Sequence, residues 1–373
     1  MHVRFSRRRL AALISGACLG LAAVSCSADT ASQPDVAPQR DIGSQPDSAS
    51  EADIGSRPEI TSEPARPVAF APFVDVTLVP TLAFDDPTAQ PADDVMLGFV
   101  VADPAAPCTP SWGTFHDLDS ARETLDLEAR ISRLRERGGS AIVSFGGAAN
   151  AELATVCLDA DRLEEAYGSV IDAYDSRVVD FDIEGAALAD PDANRRRSEV
   201  IARLQDDRPD LEVWFTVPIT PNGIPDSVVA LLDAVLSAGV DLTGVNAMTM
   251  NYGTMPEGAS MSEASVSALQ GLHRQLAGVY GRAGRDLSDT ELWNRIAATP
   301  MIGQNDVPGE RFTVADARSL ASFAQQVQMR RISMWSANRD TPCDGPTDEG
   351  SFSNTCSGVD QQPGEFSEIF GGN

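Results

Sequence analysis

At 373 residues the chain is long enough for one large α/β domain or two ordinary ones. It carries 55 acidic against 28 basic residues, none of them lysine, and a formal charge of −27 that disfavours nucleic acid and anionic membrane as partners while leaving a neutral polymer open. Only three histidines and no C-x-x-C pair occur, so neither a metal site nor a cofactor is expected.

The chain opens on Arg4, Arg7, Arg8 and Arg9, followed by an apolar run from Leu10 to Val24 that ends in Ser25-Cys26. A basic head before a short apolar stretch is the pattern of a secretory signal, too short for a permanent membrane span. Residues 1–26 are therefore expected to be a signal peptide. Ser6-Arg7-Arg8-Arg9-Leu10 fits a twin-arginine export route. Ala23-Val24-Ser25-Cys26 resembles a bacterial lipobox, in which Cys26 is lipidated after cleavage; cleavage nearby without lipid is the alternative.

Residues 27–67 are rich in Ser, Pro, Ala and Asp and repeat loosely as Asp41-Ile42-Gly43-Ser44-Gln45-Pro46 and Asp53-Ile54-Gly55-Ser56-Arg57-Pro58. Such a stretch has too few large apolar residues to bury a core and predicts a disordered tether. The expectation is an exported protein, extracellular or anchored at a bacterial cell surface through Cys26, with a monomeric folded domain over 68–373. In an exported chain the four later cysteines point to disulfides. Cys343 and Cys356 share a Gly/Ser/Asp-rich loop and are paired; by elimination Cys108 pairs with Cys157.

From Ala69 onward, strand-like runs alternate with amphipathic segments of helical length. The predicted strands are Phe73–Val79, Val95–Val101, Ser140–Phe145, Val178–Glu184, Leu211–Val217, Gly244–Met250, Thr299–Ile302 and Arg331–Trp335. The predicted helices are Leu118–Arg137, Leu153–Tyr174, Asn194–Asp207, Asp226–Ala238, Ser262–Tyr280 and Val314–Gln328. Eight strands alternating with helices predict an α/β fold with a parallel sheet, and closing that sheet gives a (β/α)8 TIM barrel. An open doubly wound sheet is the competing arrangement, and no G-x-G-x-x-G follows the first strand to support it.

The fourth strand is where chemistry concentrates. In Val179-Asp180-Phe181-Asp182-Ile183-Glu184 the carboxylates occupy alternate positions. Asp180, Asp182 and Glu184 thus share one face, about 7 Å apart at successive Cα atoms, and Val179, Phe181 and Ile183 share the other. Three acids that close repel when ionised, so at least one holds its proton toward neutral pH. A calcium loop would curl around a glycine and would not carry an apolar face. In a barrel, Glu184 stands at the C-terminal end of its strand, where such folds place their sites.

Other strand ends add candidates. Ser144-Phe145-Gly146-Gly147 closes strand three, where two glycines permit close backbone approach. Met250, Asn251 and Tyr252 leave strand six, and Trp335 ends strand eight, placing a large flat ring at the barrel mouth. Trp112 follows strand two and is a candidate for a further aromatic contact at the same mouth. Met248, Trp214 and Trp293 are assigned to the core, and His116 and His273 have no partners spaced for metal or for a nucleophilic triad.

Asp180-x-Asp182-x-Glu184 resembles the second half of the D-x-x-D-x-D-x-E signature of family 18 glycoside hydrolases, the chitinases and their relatives; the leading Asp falls on Arg177. Ser144-x-Gly146-Gly147 is similar to the family's S-x-G-G. Met250-Asn251 falls where the family often carries Tyr-Asp, with Tyr252 just beyond, and Trp335 matches the Trp that floors the sugar site. This resemblance spans roughly residues 70–370. It implies hydrolysis of β-1,4-linked N-acetylglucosamine polymers, above all chitin, with Glu184 as general acid, Asp182 orienting the substrate's acetamido group and Asp180 tuning Asp182. Two rivals share the same barrel: a catalytically silent chitin-binding lectin, and an endo-β-N-acetylglucosaminidase acting on glycoprotein or peptidoglycan.

Overall fold

The computed structural model describes residues 67–345 and 352–372. The expected signal peptide, the lipidation site Cys26 and the tether up to residue 66 lie outside the described residues. Among the described residues, no helix is long and apolar enough to cross a membrane.

A ring of parallel strands organises the domain. Its eight positions are Ala69–Phe70 continued by Phe73–Asp75, then Asp94–Asp103, Ser140–Gly146, Val178–Asp182, Glu212–Pro218, Leu242–Met248, Ile296–Ala298 and Arg331–Ile332. The last strand pairs with Ala69–Phe70, and Phe73–Asp75 pairs with the second strand, so the sheet closes on itself. The interruption in the first strand coincides with Pro72, which has no N–H to give the ladder. Its carbonyl accepts instead from Met96, and Ala71 and Phe73 donate back to Ile332 and Met334. The expected (β/α)8 barrel is the fold.

Alternation sorts the side chains into two cores. Phe145, Phe181 and Phe215, on neighbouring strands, face outward and stack at centroid distances of 5.1 and 5.5 Å beneath the helices. A smaller cluster of Ala71, Phe73, Met96 and Ile142 fills part of the barrel interior. The flanking helices begin on side-chain caps. Asp117, Asp159 and Asp190 accept from first-turn amides, and Ser260 and Thr313 form capping boxes with Glu263 and Asp316.

Several expected elements are shorter or broken, each for a local reason. The segment 118–137 is two helices, Leu118–Leu125 and Leu127–Glu136, because Asp126 takes a left-handed conformation (φ 53°) that a short polar side chain tolerates. The second helix is thereby re-aimed so that Leu127, Ile131 and Leu134 are buried. The segment 153–174 divides into Leu153–Val156 and Ala160–Ala173 because Cys157 is extended and bonded to Cys108, and Asp159 then caps a new helix. The seventh strand is Ile296–Ala298 rather than the expected Thr299–Ile302; Pro300 has no N–H to give and interrupts the regular ladder, beyond which Met301 still bridges Trp335. An antiparallel hairpin strand, Ala106–Trp112, lies against the second barrel strand where no element was expected.

Both expected disulfides are formed, Cys108–Cys157 and Cys343–Cys356, with sequence separations of 49 and 13. Cross-links act largely by restricting the unfolded chain, more so for longer loops. Replacing Cys108 and Cys157 by Ala is therefore expected to cost about 4 kcal/mol, and the Cys343/Cys356 pair about 3 kcal/mol. Urea unfolding at equilibrium reads both. A larger loss from the shorter loop would contradict this ordering.

Candidate active site

The acidic column keeps its alternation into the barrel mouth. Phe181 and Ile183 belong to the outer core, so Asp180, Asp182 and Glu184 point inward. The regular strand ends at Asp182, yet Glu184 remains extended (φ −140°, ψ 177°) and Ile183 still donates to Thr216 of the fifth strand. Glu184 therefore stays in line with the two aspartates. Gly185, at φ 51°, then turns the chain away.

Burial rises down the column. Asp180 is fully buried, Asp182 nearly so, and Glu184 half-buried. Removal from water pushes the Asp180 carboxyl up to about 6, although Ser144 and Thr216 both stabilise its charge by hydrogen bonds and the Arg331 cation does so through space. Asp182 is raised well above the usual carboxylate range by burial, then by the charges of Glu184 and Asp180. Burial raises Glu184 as well, with Asp306 adding repulsion. Asp182 Oδ1 has no hydrogen-bond partner among the described residues, which leaves it available to a ligand group.

A chain of polar side chains crosses the interior and ends on Asp180. Thr299 donates to Asn246 Oδ1 (2.8 Å), Asn246 Nδ2 donates to Thr216 (2.9 Å), and Thr216 donates to Asp180 Oδ1 (2.7 Å). From the other side Ser144 donates to Asp180 Oδ2 at 2.6 Å. Asp180 thus has both oxygens engaged and its rotamer fixed. The strand registers explain the convergence, since Asp180 lies directly beside Ser144 on one neighbour and its own neighbour residue Asp182 lies beside Thr216 on the other.

The backbone of strand three comes closer than any side chain would allow. A Cβ on Gly146 (φ 100°) would sit 2.2 Å from the Asp182 carbonyl, and one on Gly147 (φ 86°) would sit 2.9 Å from the Phe99 ring. Gly147 N–H donates to that same Asp182 carbonyl at 3.0 Å. The glycine pair is thus needed to bring strand three against the column.

Above the column opens a cavity of about 530 Å³, bordered by Asp182, Glu184, Trp335, Met250, Asn251 and Asp306. Trp335 stacks on Phe99 (5.5 Å, 23°) and leans on Phe73 (5.9 Å). These rings give the cavity an aromatic wall with the indole half-exposed. Phe352 and Asn354 reach the same cavity from the loop closed by Cys343–Cys356. Among the described residues no cluster of His, Cys, Asp and Glu is arranged to hold a metal.

Of the residues singled out in the sequence, the structure brings Glu184, Asp182, Trp335, Met250 and Asn251 to this cavity, with Asp180 and Ser144 beneath it. Gly146 and Gly147 act through their backbone. Two candidates fall elsewhere. Trp112 is fully buried, its indole N–H donating to the Tyr174 hydroxyl at 2.9 Å, because the hairpin folds it under the helix Ala160–Ala173. The hydroxyl of Tyr252 donates to Ser265 (3.3 Å) on the helix Met261–Arg282, and its amide donates to Glu310, away from the cavity lining. Met248, assigned to the core, lines the cavity instead. Sequence reasoning missed Phe99, Thr216, Asn246 and Asp306. Thr216 and Asn246 carried a signal, as polar residues at inward positions of otherwise apolar strands; Asp306 is brought in by a loop and carried none.

Asn251 holds that loop. Its Nδ2 donates to Asp306 Oδ2 (2.7 Å) and its Oδ1 accepts from the Asp306 amide (2.9 Å). Its left-handed backbone (φ 52°) lets it leave strand six sharply enough to do so.

No family model matches the chain. Over 286 residues it is 36% identical to a probable bifunctional chitinase/lysozyme from Escherichia coli, covering 73% of this chain and 31% of that protein. It is 34% identical, over 286 residues, to endochitinase 11 from Metarhizium anisopliae, covering 73% of this chain and 52% of that one. The chain thus spans about a third and about half the lengths of these curated relatives. Among solved structures, the catalytic domain of a hyperthermophilic chitinase from Pyrococcus furiosus matches with a TM-score of 0.72 and 29% identity, over 83% of this chain and 95% of that one.

The two glycines that flank the column differ in a testable way. Gly185→Ala places a Cβ in open space and meets only the left-handed penalty, about 1–2 kcal/mol. Gly146→Ala adds a backbone clash and is expected to cost more than about 3 kcal/mol. Urea denaturation of the two variants side by side should separate them, and equal losses would show that strand three has room to relax.

Proposed function

The chain belongs to the chitinase-like family 18 of glycoside hydrolases, and we propose that it hydrolyses β-1,4-linked N-acetylglucosamine polymers, chitin above all, with retention at the anomeric carbon. The observation that carries this reading is the inward column of Asp180, Asp182 and Glu184 beneath an aromatic-walled cavity. Most glycosidases use two carboxylates, and this family is a recognised exception that recruits the substrate's own acetamido group. Glu184 is half-buried at the mouth with its carboxyl held above its usual range, so it retains a proton to give the glycosidic oxygen. The acetamido carbonyl then attacks the anomeric carbon and forms an oxazolinium. Asp182, with a free inward oxygen, orients that amide and offsets the developing positive charge. Asp180 sits below, clamped by Ser144 and Thr216, and fixes Asp182 by repulsion. Ionised Glu184 finally takes a proton from water as the water oxygen bonds to the anomeric carbon and the acetamido oxygen leaves it, which restores the amide and gives retention.

Trp335 supplies a flat apolar face for the sugar, backed by Phe99. The departure at Met250-Asn251 removes a tyrosine at that point, and Tyr252 faces Ser265 rather than replacing it. Met248 and Met250 give the cavity an adaptable apolar lining. A lectin on this barrel would need the cavity and the wall but not a terminal acid, so the intact Glu184 favours catalysis.

Two features of the reading concern where the enzyme works. The arginine-rich head, apolar run and Ser25-Cys26 support export with a lipid anchor at Cys26, and residues 27–67 would space a monomeric barrel from the membrane. Both disulfides fit an oxidising compartment.

Glu184→Gln keeps shape and removes the transferable proton. Chitin binding in a pull-down is expected to survive, while release of a chromophore from a chitobioside falls by about two to four orders of magnitude. Fully deacetylated chitosan and cellulose should not be cleaved, because they lack the internal nucleophile. Wild-type protein that binds chitin yet cleaves no N-acetylglucosamine oligomer would establish the lectin instead, and rapid cellulose hydrolysis would exclude substrate assistance.

A further inference from the structure

Below the acidic column the barrel floor encloses a guanidinium. Ile332 faces the outer core, so its neighbour Arg331 on the eighth strand points inward, and Arg331 is only 5% exposed. Its guanidinium lies 4.1 Å over the ring of Trp214. Trp214 is the register partner of Asp180 on the adjoining strand. Gly244, beside Trp214 on the next strand, makes the room: a Cβ there would fall 2.5 Å from the indole. Arg331, Trp214 and Gly244 thus form one layer of the interior, beside Asp180 in register and below Asp182 and Glu184.

This is a costly place for a charge. Burying an ion takes several kcal/mol even after relaxation, and an aliphatic residue would fill a barrel floor at none of that cost. Nε and one Nη of Arg331 have no hydrogen-bond partner among the described residues, so the side chain is not held there by a full set of bonds. What the guanidinium does have is a field. In a low-dielectric interior a charge acts over several ångströms, and the groups around it are mostly acidic. Asp180 faces it from the fourth strand, Asp94 from the start of the second and Glu212 from the start of the fifth, with Arg330 adjacent in sequence and Asp182 and Glu184 higher in the column.

We propose that Arg331 is the buried counter-charge of the acidic column, a positioning residue that sets how many protons Asp180, Asp182 and Glu184 share. Burial alone drives Asp180 toward its neutral form, and the guanidinium opposes it together with Ser144 and Thr216. With Asp180 kept anionic, the proton of the column resides on the two carboxyls that border the cavity. Without the cation, Asp180 takes that proton and Asp182 loses the repulsion that fixes it. The part of this proposal that concerns turnover rests on the hydrolytic reading above; the charge coupling itself does not.

The sign of the effect on stability follows. Asp180 has a folded-state pKa, about 6, raised above its unfolded value, so its ionisation costs stability as pH rises between the two. Removing Arg331 raises the folded value further and extends that loss to higher pH. The experiment compares wild type, Arg331→Met, Arg331→Lys, Asp180→Asn and the Arg331→Met/Asp180→Asn pair, by thermal unfolding from pH 5 to 8 and by kcat/KM on a chitobioside chromogen. Arg331→Met is expected to lose stability progressively above pH 6 relative to wild type, and to shift the acid limb of kcat/KM up by about one pH unit. Arg331→Lys should keep the wild-type profiles, and in the Asp180→Asn background Arg331→Met should show a clearly smaller pH-dependent difference, the remainder coming from Asp94 and the upper column. The thermal measurement needs no turnover, so inactivity of every protein would remove the hydrolytic reading and leave the coupling readable. Parallel stability profiles in wild type and Arg331→Met would overturn the proposal. Failure of both Arg331→Lys and the double variant to fold would do the same, assigning Arg331 to packing alone.

Discussion

Three carboxylates on alternate residues of one inward-facing strand cannot all be ionised without cost, and much of this domain is arranged around that constraint. The lower acid is clamped on both oxygens, the middle one keeps an oxygen free, and the upper one meets the cavity. Burial raises all three, so the column stores a proton at pH values where isolated carboxylates would not. That stored proton is what a glycosidase needs to protonate a leaving group at neutral pH.

The surroundings follow from keeping the column dry yet reachable. The glycine pair after strand three brings backbone against the Asp182 carbonyl and lets Phe99 back Trp335. The Thr299, Asn246 and Thr216 chain ties strand five, strand six and the residue just past strand seven to Asp180 on strand four, so a shift of any of them moves the column. Such a network specifies one arrangement only when each member is satisfied, which is the case for these side chains. The outer stack of Phe145, Phe181 and Phe215 fixes strands three, four and five from behind.

The fold and the centre of the site were legible in the sequence for a simple reason. Strand periodicity is local, and the acids Asp180, Asp182 and Glu184 announce both their face and their spacing within five residues. The glycine pair and Trp335 were legible because each ends a strand, and strand ends in a barrel converge. Trp112 was misread because a short antiparallel hairpin, pinned to the segment after the helix Leu153–Val156 by the Cys108–Cys157 bond, folds its ring under a helix. Tyr252 was misread because strand six stops at Met248 and Asn251 turns the chain, so period-two reasoning no longer applied. Asp306 and Arg331 came from the opposite difficulty. Each is an ordinary charged residue in sequence, and only the closed ring places one beside Glu184 and the other below Asp180.

The claim on which the rest depends is that the column holds a proton when isolated acids have lost theirs. Carbon-13 labelling of the aspartate and glutamate carboxyls, with resonances assigned by single substitutions in the column, measures it directly in the ligand-free protein. The account predicts at least one column carboxyl still protonated at about pH 6. Full ionisation of Asp180, Asp182 and Glu184 by about pH 5, like surface carboxylates, would contradict it.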